Sequence, residues 1–205
     1  MEAVMSDRPS IFRKTVRALP PLLLFLTLAP GAGAAEFTAE LWIQEGEKTI
    51  PAKLSVKNGK KRHEFLDEEG HTVTIVRPDK KVIWVLLADK KLYMEMPLMS
   101  KLPGHFLQVP PDALSKRKVG VETVNGYQAE KLEVMVRSRA GGATRQTYWV
   151  SEKLGLPIKM VWAERGLTVE YRAIKEGKVA DRLFEIPPGF QKQAEPSGAP
   201  LQRWD

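Results

Sequence analysis

Cysteine is absent from all 205 residues of this chain. The protein therefore forms no disulfide and has no cysteine to be lipidated, so its core alone must hold the fold together. Histidine is scarce as well, since His63, His71 and His105 are the only three. No nucleophile and acid are spaced around them for catalysis, and the sequence contains neither a G-x-S-x-G turn nor a phosphate-binding glycine loop. These absences argue against an enzyme.

Signals for a metal, a cofactor or a nucleic acid are equally few. One hairpin collects acidic and histidine side chains, but at no spacing typical of a metal site, and a solvated turn explains them better. These residues are His63, Glu64, Asp67, Glu68, Glu69 and His71. The net charge of +7 is mild, and paired lysines fall at turns, where they aid solubility, rather than among aromatic residues that would stack on bases. We therefore expect no metal, no cofactor and no nucleic-acid partner.

No apolar run reaches the roughly 20 residues that a membrane-spanning helix needs. The best candidate, residues 18–29, follows three basic residues and leads into small residues. This order predicts a secretory signal peptide over residues 1–35, cleaved after Ala34 or Ala35. A retained anchor is the alternative, which two adjacent prolines disfavour. We expect an exported, soluble protein of the periplasm.

Alternation of apolar and polar residues runs through most of the remaining sequence and predicts β-strands with one dry face. In residues 71–96, three apolar runs are separated by Pro78-Asp79 and Ala88-Asp89, which are links short enough only for antiparallel hairpins. The middle run, residues 82–87, is apolar on both faces. It should therefore be the centre of this meander, with both of its faces covered.

The whole pattern predicts an all-β, mainly antiparallel domain over residues 36–191. About ten or eleven strands, the last over residues 179–186, would form a sheet large enough that it must curl into an incomplete, strongly curled β-barrel. Residues 97–115 break the alternation and predict a short helical or loop lid, with one helical turn starting at Asp112. The polar residues 192–205 predict a flexible tail. The apolar residues of the lid are Leu98, Met99, Leu102 and Phe106.

The dry face of such a sheet predicts a concave apolar space, because the sequence contains no second sheet and no long amphipathic helix to cover it. A space of this kind is a default ligand-binding site, and methionines there suit ligands of variable shape. Plain packing of the same residues as a core is the alternative, and it stays open. The expected lining residues are Ile50, Leu54, Val73, Ile75, Trp84, Leu92, Met94, Met96, Met160 and Trp162.

Basic residues gather at one end of the predicted sheet, since successive hairpins alternate between its two ends. Lys60, Lys61, Lys80 and Lys81 would form a basic rim at which anionic lipid headgroups, an anionic membrane surface or an acidic partner docks. Ordinary solubility of exposed turns explains these lysines equally well, so both interpretations remain.

Four segments carry a family resemblance. They are TIVRPDKKVIWVLLADKKLYMEMP, TVNGYQAEKLEV, YWVSEKLGLPIKM and FEIPPGFQ. Their order and spacing resemble the LolA/LolB-like outer-membrane lipoprotein-sorting superfamily, and most closely its small DUF4412-type periplasmic members. The resemblance covers residues 37–191.

The resemblance implies an incomplete antiparallel β-barrel with a lid over an apolar cavity that holds acyl chains. In the carriers of this superfamily an arginine on an early strand helps hold the lid closed, and Arg62 is the nearest candidate here. Two functions are implied. One is a periplasmic carrier or chaperone for the acyl chains of a lipid or lipoprotein; the other is an envelope sensor or adaptor that binds a partner protein.

Overall fold

Twelve β-strands make up most of the computed structural model, which describes residues 35–67, 70–102, 106–138 and 141–193. The strands are β1 (Glu36–Glu45), β2 (Lys48–Lys57), β3 (Lys60–Asp67), β4 (Gly70–Arg77), β5 (Val82–Leu87), β6 (Leu92–Pro97), β7 (Ser115–Val124), β8 (Tyr127–Arg137), β9 (Ala143–Ser151), β10 (Leu156–Trp162), β11 (Leu167–Glu176) and β12 (Gln191–Lys192). Three short 3₁₀ helices lie at Ala88–Lys90, Ala163–Arg165 and Asp181–Phe184. Within these described ranges, no helix is long and apolar enough to cross a bilayer.

All twelve strands belong to one sheet in the order β12-β6-β5-β4-β3-β2-β1-β11-β10-β9-β8-β7. Most consecutive strands pair as antiparallel hairpins, and two further pairings complete the sheet. β1 pairs with β11 along its length, and the short β12 pairs in parallel with β6. β7 and β12 are the two edges, so the sheet is not closed. The prediction of an all-β, mainly antiparallel, incomplete barrel is confirmed.

Two hairpins form at Asn-Gly pairs, the residues that best tolerate the positive φ of a tight turn. Asn58 and Gly59 have φ of 50° and 78°, and Asn125 and Gly126 have 49° and 84°. These two-residue turns fix the register of β2 against β3 and of β7 against β8. Because register fixes which side chains share a face, the turns also determine which residues meet at the site.

Both faces of the meander β4–β6 are covered. The face that carries Phe37 and Leu54 is called the inner face, and the opposite one the outer face. On the inner face Phe106 packs against Ile83, and on the outer face Phe184 packs against Trp84. The expectation that β5 is covered on both sides is confirmed.

The two coverings come from different parts of the chain. Residues 98–114 are called the cover segment, and Leu98, Leu102, Phe106 and Leu107 of this segment lie against the inner face. Residues 177–190, the C-terminal segment, lie against the outer face. The described part of the cover segment contains no helix. Instead of the predicted helical turn at Asp112, a turn closes where the Ala113 amide donates to the carbonyl of Pro110, at 3.3 Å. Two successive prolines lack the amides that a helix would use there.

The predicted last strand, over residues 179–186, is also wrong. Asp181–Phe184 form a 3₁₀ helix that buries Phe184 completely and leaves Asp181 exposed. Apolar and polar residues alternate in this stretch because the 3₁₀ turn buries its apolar side chains, among them Phe184, against the sheet. Lys192, the first residue of the predicted tail, pairs with β6 together with Gln191 as β12, and residues 194–205 lie outside the described residues. The predicted signal peptide lies outside them as well, except for Ala35.

Candidate functional site

The inner face is an apolar floor built from alternate residues of neighbouring strands. Cross-strand pairs align Leu54 with Ala39 and Ile50 with Ile43, and Val169 joins Ile43 to Met160 on β10. The fully buried centre of this floor contains Phe37, Leu41, Ile43, Leu54, Ile158, Val169 and Tyr171. At about 1.5–3 kcal/mol for each large apolar side chain removed from water, this floor is a main source of stability.

Seven of the ten predicted lining residues lie on this inner face. Met94 and Met96 are opposite Val85 and Ile83, and Leu92 is opposite Leu87. Trp162 follows Met160 on the same face of β10, and its indole nitrogen donates to the hydroxyl of Thr144 at 2.8 Å. The seven residues are Ile50, Leu54, Leu92, Met94, Met96, Met160 and Trp162.

Val73, Ile75 and Trp84 lie on the outer face, so their assignment to the same lining is corrected. Ile75 is opposite both Arg62 and Trp84, whereas Val76, the next residue along β4, faces inward. The three residues are buried beneath the C-terminal segment. β4 carries apolar residues on both faces, with Val73 and Ile75 on one and Val76 on the other. The alternation of its sequence therefore could not tell which face points inward.

The cover segment closes the inner face with two adjacent side chains. The ring of Phe106 stacks on that of His63, with 3.6 Å between the centroids and planes 13° apart. Leu107 is 2% exposed within the core, and its amide donates to the Tyr171 hydroxyl at 3.2 Å. Of the other predicted lid residues, Leu98 and Leu102 pack near Phe106, but Met99 is 45% exposed. Three of the four lid residues therefore contact the inner face.

The cover segment is fixed at its ends and braced internally. The Leu98 amide donates to the carbonyl of Lys81 at 2.9 Å, and the Leu114 amide donates to that of Met135 at 2.8 Å. Within the segment, the side chain of Gln108 accepts from the Leu102 amide and donates to the carbonyl of Ser100. Between its ends, the described part of the segment is therefore held to the floor chiefly by apolar contact and by the neutral hydrogen bond to Tyr171.

Arg62 does not hold the cover segment. Its side chain lies on the outer face, where it donates to the carbonyl of Leu183 at 3.3 Å and to the carboxylate of Glu64 at 3.2 Å. The register of β3 explains this, because Lys61 and His63 take the inward positions on either side of it. Arg62 thus helps to fix the C-terminal segment, contrary to the role that the resemblance implied.

The four lysines of the predicted basic rim are separated by the structure. Lys60 pairs with Asp181 at 3.0 Å and Lys80 with Glu185 at 3.0 Å, both acids of the C-terminal segment. Lys81 is exposed at a turn, and Lys61 lies on the inner face. They form no single rim, since an acidic segment that the sequence did not reveal as a neighbour neutralises two of them.

Ion pairs of Asp181 and Glu185 hold the C-terminal segment to the outer face. Hydrogen bonds from Lys57 and Lys60 lower the pKa of Asp181. The guanidinium of Arg77, which is 4% exposed, donates to Asp79, to Glu185 and to the carbonyl of Phe184. The hydrogen bonds from Arg77 to Asp79 lower the pKa of Asp79 to about 2. The segment is therefore a fixed part of the fold that seals the outer face.

The described residues contain no group of three or more His, Asp or Glu side chains placed to hold a metal ion. His71 and Glu64 contact each other at 2.9 Å on the outer face, whereas His63 points inward. Glu68 and Glu69 lie outside the described residues. A separate open groove of about 280 Å³ lies on the outer face of β8–β10, between Met135 and Val161.

Comparison with protein families gives one match, over residues 37–155, to the family described as Domain of unknown function (DUF4412). The chain belongs to the DUF4412 family. The match begins at Phe37 and spans β1–β9 and the cover segment. It confirms the DUF4412 resemblance seen in the sequence. None of the curated proteins matches this DUF4412 chain significantly.

Several solved structures are similar to the DUF4412 chain. An uncharacterized conserved protein from Thermus thermophilus is 16% identical with a TM-score of 0.55, over 79% of this chain and 91% of that one. A chain of the Pseudomonas aeruginosa MucA/MucB complex is 15% identical with a TM-score of 0.49, over 78% and 58% respectively. NE2245 from Nitrosomonas europaea, a LolA superfamily protein, is 11% identical with a TM-score of 0.36, over 76% and 91%. The first likeness shows a shared fold, and the two lower scores carry no inference about function.

Two features of the DUF4412 site escaped sequence reasoning. Leu107 was not singled out, although it follows Phe106 and is the more deeply buried of the two. The C-terminal segment was predicted to be a strand, although the acids Asp181 and Glu185 face the basic turn residues at Lys57–Lys60 and Arg77–Lys80. That charge complementarity was the available signal.

Proposed function

We propose that this protein is a periplasmic carrier or chaperone that binds the acyl chains of a lipid or lipoprotein on the inner face of its sheet. The observation that carries the proposal is the way this face is closed. A broad apolar floor is covered by an extended segment that inserts Phe106 and Leu107 and bonds to the floor through Tyr171. In this proposal the cover segment is a lid, and its two apolar side chains occupy the place of the ligand when none is bound.

The free energy of burying an acyl chain is large enough to offset the cost of displacing the lid. Exposing Phe106 and Leu107 costs about 1.5–3 kcal/mol for each side chain. Each methylene of an acyl chain contributes about 0.8 kcal/mol when it is buried, so roughly eight methylenes offset the loss of both side chains. Met94, Met96 and Met160 flank the exchanged volume on the inner face, and their flexible thioethers adapt to chains of different shape.

The family resemblance and the predicted signal peptide support this function. The resemblance rests on the order and spacing of four sequence segments, and export of a protein without cysteine suits a soluble envelope component. A binding role also agrees with the sequence, in which no nucleophile and acid are spaced around the histidines for catalysis.

Native mass spectrometry of the protein purified from the periplasm tests the proposal directly. We expect a mass increment that disappears on organic extraction and corresponds to an acyl species. A protein that carries no acyl species, and that does not bind a fatty acid or its methyl ester when either is added, would contradict the carrier function.

A second function, as an envelope sensor or adaptor, is favoured by the free edge of the sheet. β7 is an edge strand of ten residues with no pairing partner on its other side among the described residues, and Val121 is 52% exposed on it. Such an edge can add an extended segment of a partner protein as a further strand. Val119 lies on the same strand and is 38% exposed, so site-specific photo-crosslinking from position 119 in the native envelope tests this. Capture of one envelope protein, lost in Val121→Lys, is the expected result for an adaptor.

A further inference from the structure

Lys61 occupies an unusual place on the inner face. Cross-strand pairing aligns it in one continuous row across six strands, between Val56 on β2 and Val76 on β4. Every other member of the row is apolar and buried, and the row consists of Phe37, Val56, Lys61, Val76, Ile83 and Met96. A single cation therefore stands in the middle of an apolar stripe.

Three other lysines at this end of the sheet have acidic partners, whereas Lys61 has none among the described residues. Lys57 and Lys60 both pair with Asp181, and Lys80 pairs with Glu185. These partners lie on the outer side, which Lys61 does not face. The continuation of its row beyond Phe37 is Glu176, three strands or roughly 14 Å away and bound to Lys153 and Tyr127.

The covering side of Lys61 supplies no acid either. Asp112 is the one acidic residue of the cover segment, and it is exposed. The ring of Phe106 from this segment stacks on His63, which is two residues from Lys61 along β3. Removal of Lys61 from water lowers the pKa of its ammonium group, as expected for a cation without a counter-charge. Folding alone would be better served there by an apolar residue.

We propose that Lys61 binds the anionic head, a carboxylate or a phosphate, of the amphiphile whose acyl chain lies along the inner face. The inference rests on the proposed function and adds the ligand class and its direction. Lys61 is the second residue after the Asn58-Gly59 turn, near the start of β3. From there the inner face runs for about 20 Å along the strand. The head therefore stays at the hairpin end, and the chain extends over the floor towards the end where Leu92 and Trp162 lie.

Equilibrium titration with a fluorescent C18 fatty acid and with its methyl ester separates the two parts of the proposal. The ester reports the apolar face alone, and the difference between acid and ester reports the ammonium group. Lys61→Met keeps a linear side chain but removes the charge. We expect this variant to bind the acid about tenfold more weakly than the parent, while its affinity for the ester is unchanged. Lys61→Arg should retain most of the preference for the acid.

Lys53→Met is the matched control, because Lys53 is an exposed lysine on the outer face of the adjacent strand. It should bind both probes as the parent does. Equal affinity of Lys61→Met and the parent for the acid, with the ester still bound, would overturn the role of Lys61 and leave the carrier function intact. Binding of neither probe by the parent would overturn both.

Inorganic phosphate distinguishes a lipid head from a free anion. At millimolar concentration it should not displace the fatty acid, because most of the affinity comes from the chain. Displacement of the acid, but not of the ester, would assign Lys61 to a free-anion site and overturn the proposal.

Discussion

Met94 and Met135 are two half-buried methionines on opposite faces of the same sheet. Met94 lies on the inner face opposite Val85, and Met135 lines the groove on the outer face of β8–β10. A charged side chain at either place disfavours an apolar ligand there, since burying a carboxylate costs far more than a methyl group gains. The pair therefore reports which face of the molecule binds acyl chains.

We expect Met94→Asp to lose binding of the C18 methyl ester while its far-UV circular dichroism stays that of the parent. Met135→Asp should bind the ester normally. The opposite pattern, with loss only in Met135→Asp, would move the binding site to the outer groove and contradict the proposed function.

The stacked pair of Phe106 and His63 predicts opposite effects on stability and on affinity. Phe106→Ala removes apolar contacts from the inner face, which costs about 3 kcal/mol or less because a loop relaxes into part of the space. The same change lowers the cost of displacing the cover segment, so we expect the fatty-acid ester to bind about tenfold more tightly. Urea unfolding and ester titration measure the two effects.

Met99→Ala is the control for this change, because Met99 belongs to the same segment but is 45% exposed. It should alter neither quantity. If Phe106→Ala weakened ester binding, Phe106 would belong to the binding surface rather than to the lid.

At the scale of elements, the cover segment and the meander β4–β6 should differ in their opening. The part of the segment that the structure describes contains no regular hydrogen-bond ladder, and the Leu107 amide donates to Tyr171. The amides of β5, in contrast, pair with strands on both sides. Local opening is easiest where buried apolar contacts and ladder bonds are few. Hydrogen exchange should therefore be faster in residues 98–114 than in β5, and it should slow when the fatty acid is added. Equally slow exchange in both elements without ligand would show a permanent plug and weaken the carrier function.

The C-terminal segment should loosen in acid. Hydrogen bonds from Arg77 hold the pKa of Asp79 at about 2, and those from Lys57 and Lys60 lower the pKa of Asp181. Partial burial raises the pKa of Glu185, but hydrogen bonds from Lys80 and Arg77 lower it overall. A carboxylate with a lowered pKa stabilises the folded state above its unfolded pKa, and this contribution is lost as the pH falls through the folded value.

We therefore expect stability to fall as the pH drops from about 4.5 to about 2. The urea midpoint measured at several pH values gives the profile. Glu185→Gln should already be less stable at pH 7 and should show a shallower decline. A midpoint independent of pH over this window would mean that these ion pairs contribute nothing to stability.

For the molecule as a whole, the sequence predicted the strands and turns well, but it predicted poorly which segments cover the two faces of the sheet. Period-two alternation and the two Asn-Gly pairs depend on neighbouring residues only, so the hairpins could be predicted. The faces of β4 could not, because Val73, Ile75 and Val76 are apolar at both parities and only the packed structure separates them.

Long-range contacts were the part that local patterns do not encode. The apolar pattern around Val179 and Phe184 does not indicate that they cover a strand about a hundred residues earlier, and the outward placement of Arg62 follows from the register of β3. Among the predicted site residues, seven of ten share the inner face because alternation carried them there together. The sequence placed Lys61 among the lysines of a basic rim. Its apolar neighbours are evident only from the register of β2, β3 and β4.

The pairing of β1 with β11 gives the order in which the protein is expected to fold. β1–β6 and β7–β11 are each built from hairpins between consecutive strands, and the two meanders are joined in the sheet only where β1 meets β11. Contacts between sequence neighbours form first, since they close short loops, so this junction forms late. Until then β1, with its alternating Phe37, Leu41 and Ile43, has one unpaired side. A half-folded chain therefore presents an apolar strand edge to other copies of itself, and slow release of the last strands during synthesis or export favours aggregation.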